Sequence, residues 1–478
     1  MTQPKTTLEE SRGRFERKLS ALGQEHVLRW WSELSEEQRR GLLAQLEQLD
    51  FDMLARLKCL VEGGSTLPPA DFGPPAPPPC VGLPRSDGDG ERERIAKRYG
   101  EKELRAGRVA VVTVAGGQGT RLRFDKPKGM YPISPVLNKT LFQLHAEGIL
   151  ALSRKYGAPI PWAIMVSDAT DAATREYFQS NGFLGLSPSD VLFFRQGMMP
   201  ALDHQHRLVL TDKDSIFLSP NGHGGTIRAL ADEGVLGALQ DRGVRTLFYF
   251  QVDNPAVNVA DPAFIGHHVS RQSEMTIKVM KRRNAEEKIG VMVQDPQGKI
   301  RVIEYSDLDK ELKYARGEQG ELKFLMGSPA IHILDAGFVR RLASQKGGDL
   351  PFHVAHKPIP FLNEDGQKLF PKEPNGCKFE MFIFDALPFA ANPLLVEMDR
   401  ADEFAPVKNV DGEDSAVSCR RILCEKYARW LTKAGVNVPR DDRGALRTPI
   451  EISPLYALDA DELAQRIMGS HPQSSIES

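Results

Sequence analysis

The segment Ala115-Gly116-Gly117-Gln118-Gly119-Thr120-Arg121-Leu122 places three glycines within four positions. Without side chains the backbone turns sharply and offers its N–H groups to a closely approaching ligand. Cationic groups follow: Arg121 on the loop, and Lys128 in Lys126-Pro127-Lys128-Gly129-Met130 just beyond it. A permanently charged guanidinium and a compact ammonium on one loop suit a triphosphate with a departing pyrophosphate, since both carry charge that must be met locally. The loop is not a dinucleotide fingerprint, because Leu122 stands where the third glycine of G-x-G-x-x-G belongs. Nor is it a Walker A loop, because no Gly-Lys-Ser or Gly-Lys-Thr closes it. Taken alone, the glycines also fit an ordinary strand-to-helix turn; the two cations point to a nucleotide.

A phosphate loop needs a rigid strand before it. Residues 108–114, 162–167, 191–194 and 246–252 are short, β-branched or aromatic, and mostly unalternating, which predicts strands buried on both faces. Helical spacing at 140–155 and 226–240 predicts an α/β unit around a mainly parallel sheet, with ligands at the carboxyl ends of its strands. Residues 275–280, 290–293 and 299–305 predict a further β-rich, partly antiparallel layer, and 415–433 a helix followed by a short tail that frays at 472–478.

Upstream, Ser35 opens a helix with Gln38 as its capping-box partner, and Leu42, Leu46, Leu49, Met53, Leu57 and Leu60 continue as one apolar stripe. Residues 8–22 and the Trp30-Trp31 pair also read as helical. Between 63 and 90, Pro68, Pro69, Pro74, Pro75, Pro77, Pro78, Pro79 and Pro84 exclude helix and sheet interiors. That stretch is expected to be an extended connector or surface wrap with no partner of its own, followed by a helix near 91–105.

The 478 residues suggest about three folding units. Hydrophobic residues at 41% and charged ones at 26% exclude a collagenous or wholly disordered chain. A net charge of -2 gives no global field for a nucleic acid backbone or an anionic membrane, so neither is expected as a partner. Five scattered cysteines without a CxxC pair, no signal-like segment and no long apolar run predict a cytoplasmic protein.

The glycine loop followed by Pro127-Lys128-Gly129-Met130 resembles the signature of the eukaryotic-type UDP-sugar pyrophosphorylases, with UDP-N-acetylhexosamine pyrophosphorylase as the nearest branch. The likeness continues through Phe194-Arg195-Gln196, 220–225, Val252-Asp253-Asn254, Glu304-Tyr305-Ser306, Pro374-Asn375-Gly376, Phe382-Ile383-Phe384-Asp385 and Pro406-Val407-Lys408-Asn409, over about residues 95–435. The resemblance implies a Rossmann-like nucleotidyltransferase core with a mainly parallel mixed sheet. Its expected divisions are an N-terminal helical arm at 1–62, the Pro-rich linker at 63–90, a catalytic uridylyltransferase core at 91–385 and a small C-terminal domain at 386–478.

By that resemblance the reaction is transfer of uridylyl from UTP to a sugar 1-phosphate, giving a UDP-sugar and pyrophosphate. Ala115, Gly116, Gly117 and Gly222 are expected at the nucleotide, and Gln196 at the uracil edge, where an amide supplies one donor and one acceptor. Arg121, Lys128 and Lys408 are the expected catalytic cations, and Asp253 the expected ligand of Mg²⁺, with Mn²⁺ as a substitute. Gly290, Glu304, Phe382 and Phe384 are expected around the sugar, although the two Phe residues also fit core aromatics at strand alternation.

Two positions depart from the branch: His223 stands where its Gly-Asn-Gly-Gly has an amide, and Ser328 where its Ala-Gly-Asn-Ile has another. Both are expected sugar contacts, and their change predicts that glucose 1-phosphate competes with N-acetylglucosamine 1-phosphate. A broad-specificity UDP-sugar pyrophosphorylase and a catalytically silent nucleotide-sugar sensor are the alternatives.

Overall fold

The computed structural model describes residues 7–63, 73–345 and 350–470. Pro68 and Pro69 of the expected linker and the expected frayed end at 472–478 lie outside these residues. The chain divides into two compact units. The larger comprises Phe72–Gln196, Thr226–Ser344 and Ala386–Ser478; the smaller comprises Met1–Asp71, Gly197–Gly225 and Gln345–Asp385.

The larger unit is built on a 10-stranded sheet. Its strands in chain order are β1 (Val109–Val114), β2 (Trp162–Val166), β3 (Val191–Arg195), β4 (Thr246–Gln251), β5 (Met275–Lys281), β6 (Gly290–Gln294), β7 (Ile300–Ile303), β8 (Met326–Ser328), β9 (His332–Asp335) and β10 (Leu394–Glu397). They lie in the order β7-β6-β8-β5-β9-β4-β1-β2-β3, with β10 alongside β5. Strands β4, β1, β2 and β3 are parallel, with Val111 opposite Trp162 and Val114 opposite Gln251. Burial of β2 throughout and of β1 and β4 except at their last residues accounts for their unbroken apolar sequence. The layer of β6, β7 and β8 is antiparallel, in line with the partly antiparallel layer expected there.

Strands β2 and β3 lie to one side of β1 and β4 to the other. The winding direction therefore reverses at β1, and the crevice outside the carboxyl ends of β1 and β4 is the place where such a sheet receives a ligand. Helix Leu141–Tyr156 covers this sheet; the Thr140 hydroxyl caps it by accepting from the Gln143 N–H at 3.1 Å. The run 226–240 is two helices rather than one, Thr226–Asp232 and Val235–Asp241. Gly234 between them takes φ 75, a left-handed conformation that ends one helix and begins the next. Part of the Pro-rich stretch is an extended strap on the same sheet: Ala76 exchanges both backbone bonds with Gln294, and Val81 bonds Leu395 and Glu397.

In the smaller unit, Leu8–Ser20 is helical and the Ser35–Gln38 capping box forms. The single apolar stripe, however, is split between helices Glu36–Gln48 and Phe51–Glu62. Leu49 becomes extended, and the Asp50 carboxylate caps the second helix by accepting from the Met53 N–H at 2.9 Å. Trp31 begins a short 3-10 turn. Side-chain amides fasten these helices to hairpin strands of the same unit, Gln24 Oε1 accepting from Leu208 N–H at 2.7 Å and Gln45 Oε1 from Ile216 N–H at 2.9 Å. Strands Phe352–Lys357 and Gly376–Met381 pair antiparallel beside Leu202–Asp203. Among the described residues no helix is long and apolar enough to cross a membrane.

Candidate functional site

Ala115 follows β1 and is buried, its N–H donating to Met165 O at 2.8 Å, and the Ser167 hydroxyl donates to the Gly116 carbonyl at 2.8 Å. The loop then folds back on itself. Gly119 N–H donates to Lys126 O and Lys128 N–H to Gly117 O, each at 3.0 Å, which brings Lys128 back beside the end of β1. A methyl group at Gly116 would lie 3.0 Å from Gln196 Oε1 and 3.2 Å from Ser167 N, whereas one at Gly117 meets no atom within 4 Å. The packing is thus tight at 116 and open at 117. Gln196 follows β3, and its N–H donates to Val166 O at 2.8 Å, so its amide lies over the glycine loop.

Asp253 follows β4 and is buried, and Lys128 Nζ donates to its Oδ2 at 2.7 Å. Burial alone raises the pKa of this carboxyl, but the charges of Lys128 and Lys408 outweigh it and hold the group below the usual carboxylate range. Lys408 is brought here through the backbone: Val407 N–H donates to Asp253 O at 2.9 Å. The neighbouring Asn254 amide is also buried. Its Nδ2 donates to Glu403 O at 2.8 Å, and its Oδ1 accepts from Ala405 N–H at 3.0 Å and Ala256 N–H at 3.3 Å. One side chain therefore ties the 403–405 segment, and with it Lys408, to the turn after β4.

His145 braces the same turn from behind, Nε2 donating to Val252 O at 2.9 Å while burial pushes its pKa down to about 4. Neither Asn254 nor His145 was marked as functional by residue type; Asn254 was visible only as the neighbour of Asp253. Arg121 sits in the 3-10 turn Thr120–Leu122, exposed and without an ion pair among the described residues.

Of the expected sugar residues, three meet in the larger unit. Gly290 pairs with Ser328 across β6 and β8, and Glu304 Oε1 lies 3.1 Å from where a methyl at Gly290 would be. Four other expected residues lie in the smaller unit. Gly222 takes φ 80 where a side chain would strike Met381 O. The His223 ring stacks on Phe382 with centroids 5.3 Å apart and meets Phe384 edge-on at 5.8 Å. Its Nδ1 accepts from Ile383 N–H at 3.2 Å; burial and the nearby His353 push its pKa down to about 4, so the ring is neutral. His353, which the sequence did not single out, lies 4.3 Å from Phe382 and 2.7 Å from Asp385 Oδ2. The two Phe residues are not on a strand: Phe382 follows Gly376–Met381, and Phe384 lies in the 3-10 turn Ile383–Phe389.

Among the described residues no group of three or more His, Cys, Asp or Glu side chains is arranged to hold a metal ion. Asp253 is instead a single ionised carboxylate among cations, a donor set that suits a magnesium ion taking its other ligands from phosphates and water.

The sequence pattern of the family described as UTP--glucose-1-phosphate uridylyltransferase matches residues 84–461. UDP-N-acetylhexosamine pyrophosphorylase-like protein 1 of Xenopus tropicalis is 35% identical over 451 residues, covering 91% of this chain and 88% of that protein. UDP-N-acetylglucosamine diphosphorylase 2 of Arabidopsis thaliana is 34% identical over 466 residues, covering 93% and 90%. The crystal structure of the uridine diphosphate N-acetylglucosamine pyrophosphorylase from Trypanosoma brucei, in complex with inhibitor, matches with a TM-score of 0.82 at 27% identity, over 98% of this chain and 96% of that one. A match over most of the chain, on a sheet whose switch point carries the glycine loop and the Lys128–Asp253 pair, shows that the chain belongs to the UTP--glucose-1-phosphate uridylyltransferase family.

Proposed function

We propose that this chain joins UTP and a hexose 1-phosphate, N-acetylglucosamine 1-phosphate first among them, to give a UDP-sugar and pyrophosphate. The observation that carries the reading is the cluster of Lys128, Asp253 and the tethered Lys408 beside a glycine loop open at Gly117, in a member of a uridylyltransferase family. The sugar phosphate oxygen is already an anion, so it attacks the α-phosphorus directly. The bond to the β-phosphate breaks, and pyrophosphate leaves with the electron pair. No side-chain nucleophile is needed; the protein aligns the groups and meets their charge. Lys128 and Arg121 stabilise the transferring and departing groups, Lys408 holds a phosphate, and the Gln196 amide supplies a donor and an acceptor for the uracil edge. Asp253 is the residue that would hold Mg²⁺, which when bound adds positive charge at the phosphate oxygens.

A second reading concerns the sugar. His223 and Ser328 stand where the N-acetylhexosamine branch carries amides, and the neutral His223 ring stacks on Phe382 with Nδ1 already engaged by Ile383 N–H. Glucose 1-phosphate is therefore proposed as a competing substrate. The experiment is pyrophosphate release from UTP with Mg²⁺ and a panel of sugar 1-phosphates. Release with both sugars is expected; strict use of the N-acetyl sugar removes the second reading.

A further inference from the structure

Arg282 follows β5 directly, and its N–H donates to Leu325 O at 2.9 Å, beside the start of β8. The residue is only 4% exposed. Neither Nε nor Nη2 has a hydrogen-bond acceptor among the described residues. A guanidinium does not shed its proton in a protein, so burying one without an acceptor works against folding unless something else supplies the acceptor. The carboxylate within electrostatic reach, Glu287, is already taken. Its Oε2 accepts from Arg283 N–H at 2.7 Å, and its Oε1 faces Arg283 Nε at 3.2 Å and Arg400 Nη2 at 2.8 Å.

The two unsatisfied atoms are the side-on fork of the guanidinium, the face that matches two oxygens of one phosphate. Its position in the sheet supports that match. Strand β9 is antiparallel to both β4 and β5, so Arg282 and Asp253 emerge at the same edge. Arg283 pairs with Glu413 at 3.1 Å, next to Asp414, whose carbonyl accepts from Lys408 N–H at 2.6 Å. The Arg282 segment is thus linked on one side to the Lys408 loop and on the other, through Leu325 and β8, to Ser328.

We propose that Arg282 is a phosphate-binding residue of this site and that its ligand is the phosphate of the sugar 1-phosphate. The inference rests on the uridylyltransferase reading. Both fork atoms are closed to solvent, so the side chain swings out on its flexible stem to reach the phosphate, exchanging two buried N–H groups without acceptors for a bidentate pair.

The test compares the full-length protein with Arg282→Met and Arg282→Lys. Thermal unfolding is measured alone and with N-acetylglucosamine 1-phosphate, glucose 1-phosphate, inorganic pyrophosphate or UTP, and KM is measured for each substrate. Arg282→Met is expected to unfold at a higher temperature without ligand, because two buried N–H donors without acceptors have gone. It should lose most of the stabilisation by sugar 1-phosphate while keeping that by UTP, and raise KM for the sugar phosphate by about 10- to 100-fold, the effect of losing a charged hydrogen-bond donor. Arg282→Lys should recover part of that loss.

Unchanged sugar phosphate binding in Arg282→Met overturns the proposal. So does loss confined to pyrophosphate or to UTP, or a lower unfolding temperature without ligand, which marks a structural guanidinium. If no pair of substrates releases pyrophosphate, the proposed function fails, yet the ligand-stabilisation arm still reports on Arg282.

Discussion

A methyl group at Gly116 would crowd the Gln196 amide and Ser167 but meets nothing at Gly117, a contrast that separates a glycine tight in the packing from one open to the proposed ligand. Gly117→Ala should therefore leave the unfolding temperature unchanged while raising KM for UTP about tenfold, the scale of one impaired contact at the ligand; a lower unfolding temperature with normal KM would assign Gly117 to folding instead. The cations proposed to act in catalysis separate similarly. Lys128→Ala and Arg121→Ala should each lower turnover by on the order of 10²–10³, the usual effect of losing one oriented charge-stabilising donor. Only Lys128→Ala should also destabilise the fold, by about 3 kcal/mol, because it strips a buried carboxylate of its ion-pair partner. Near-normal turnover in both variants would remove these roles. Residue type and position on the glycine loop were enough to mark Lys128, whereas Asp253 and Gln196 were expected only through the family resemblance. They did not reveal that Lys128 and Asp253 pair directly, nor the amide of Asn254, whose partner Glu403 lies 149 positions away.

Asn254 acts between elements, holding the segment that leads to Lys408 onto the turn after β4. If that is its role, Asn254→Ala should lower kcat in the wild-type background but add little to Lys408→Ala, a non-additivity that a general loss of packing does not produce. Equal effects in both backgrounds would make Asn254 structural only. Element boundaries show where spacing alone misleads. The apolar period from Leu42 to Leu60 runs unbroken across Leu49 and Asp50, so periodicity joins two helices that backbone conformation separates. Asp50→Ala should accordingly cost about 1 kcal/mol in urea unfolding, the usual worth of a helix cap. Phe382-Ile383-Phe384 has strand-like alternation but folds into and beside a tight turn, where His223 stacks on Phe382 and the tilted His353 ring packs against it. The parallel strands, by contrast, were legible because burial on both faces leaves them few polar positions.

For the whole molecule, charge and burial set the response to pH. His145 and His223 have pKa values near 4 and His268 near 3, each pushed down chiefly by burial. All three are neutral when folded but take up protons near 6.5 when unfolded. Their contribution is complete above about pH 6.5 and is lost as pH falls toward 4, with a combined slope of up to about 4 kcal/mol per pH unit. Asp253 adds a loss at lower pH, as protonation approaches its depressed pKa. Urea midpoints between pH 7 and 4 should fall steeply, and His268→Gln should flatten the decline; a flat wild-type profile would contradict the buried neutral rings.

The near-zero net charge of -2 fits the proposal that phosphate is met by a few aimed groups, chiefly Arg121, Lys128 and Lys408, rather than by a global field. The most direct test of this account is pyrophosphate release from UTP, Mg²⁺ and N-acetylglucosamine 1-phosphate or glucose 1-phosphate, with Lys128→Ala in parallel. The account predicts release by the wild type that falls at least about a hundredfold in the variant. Absence of release with every sugar, or release indifferent to Lys128, would contradict it.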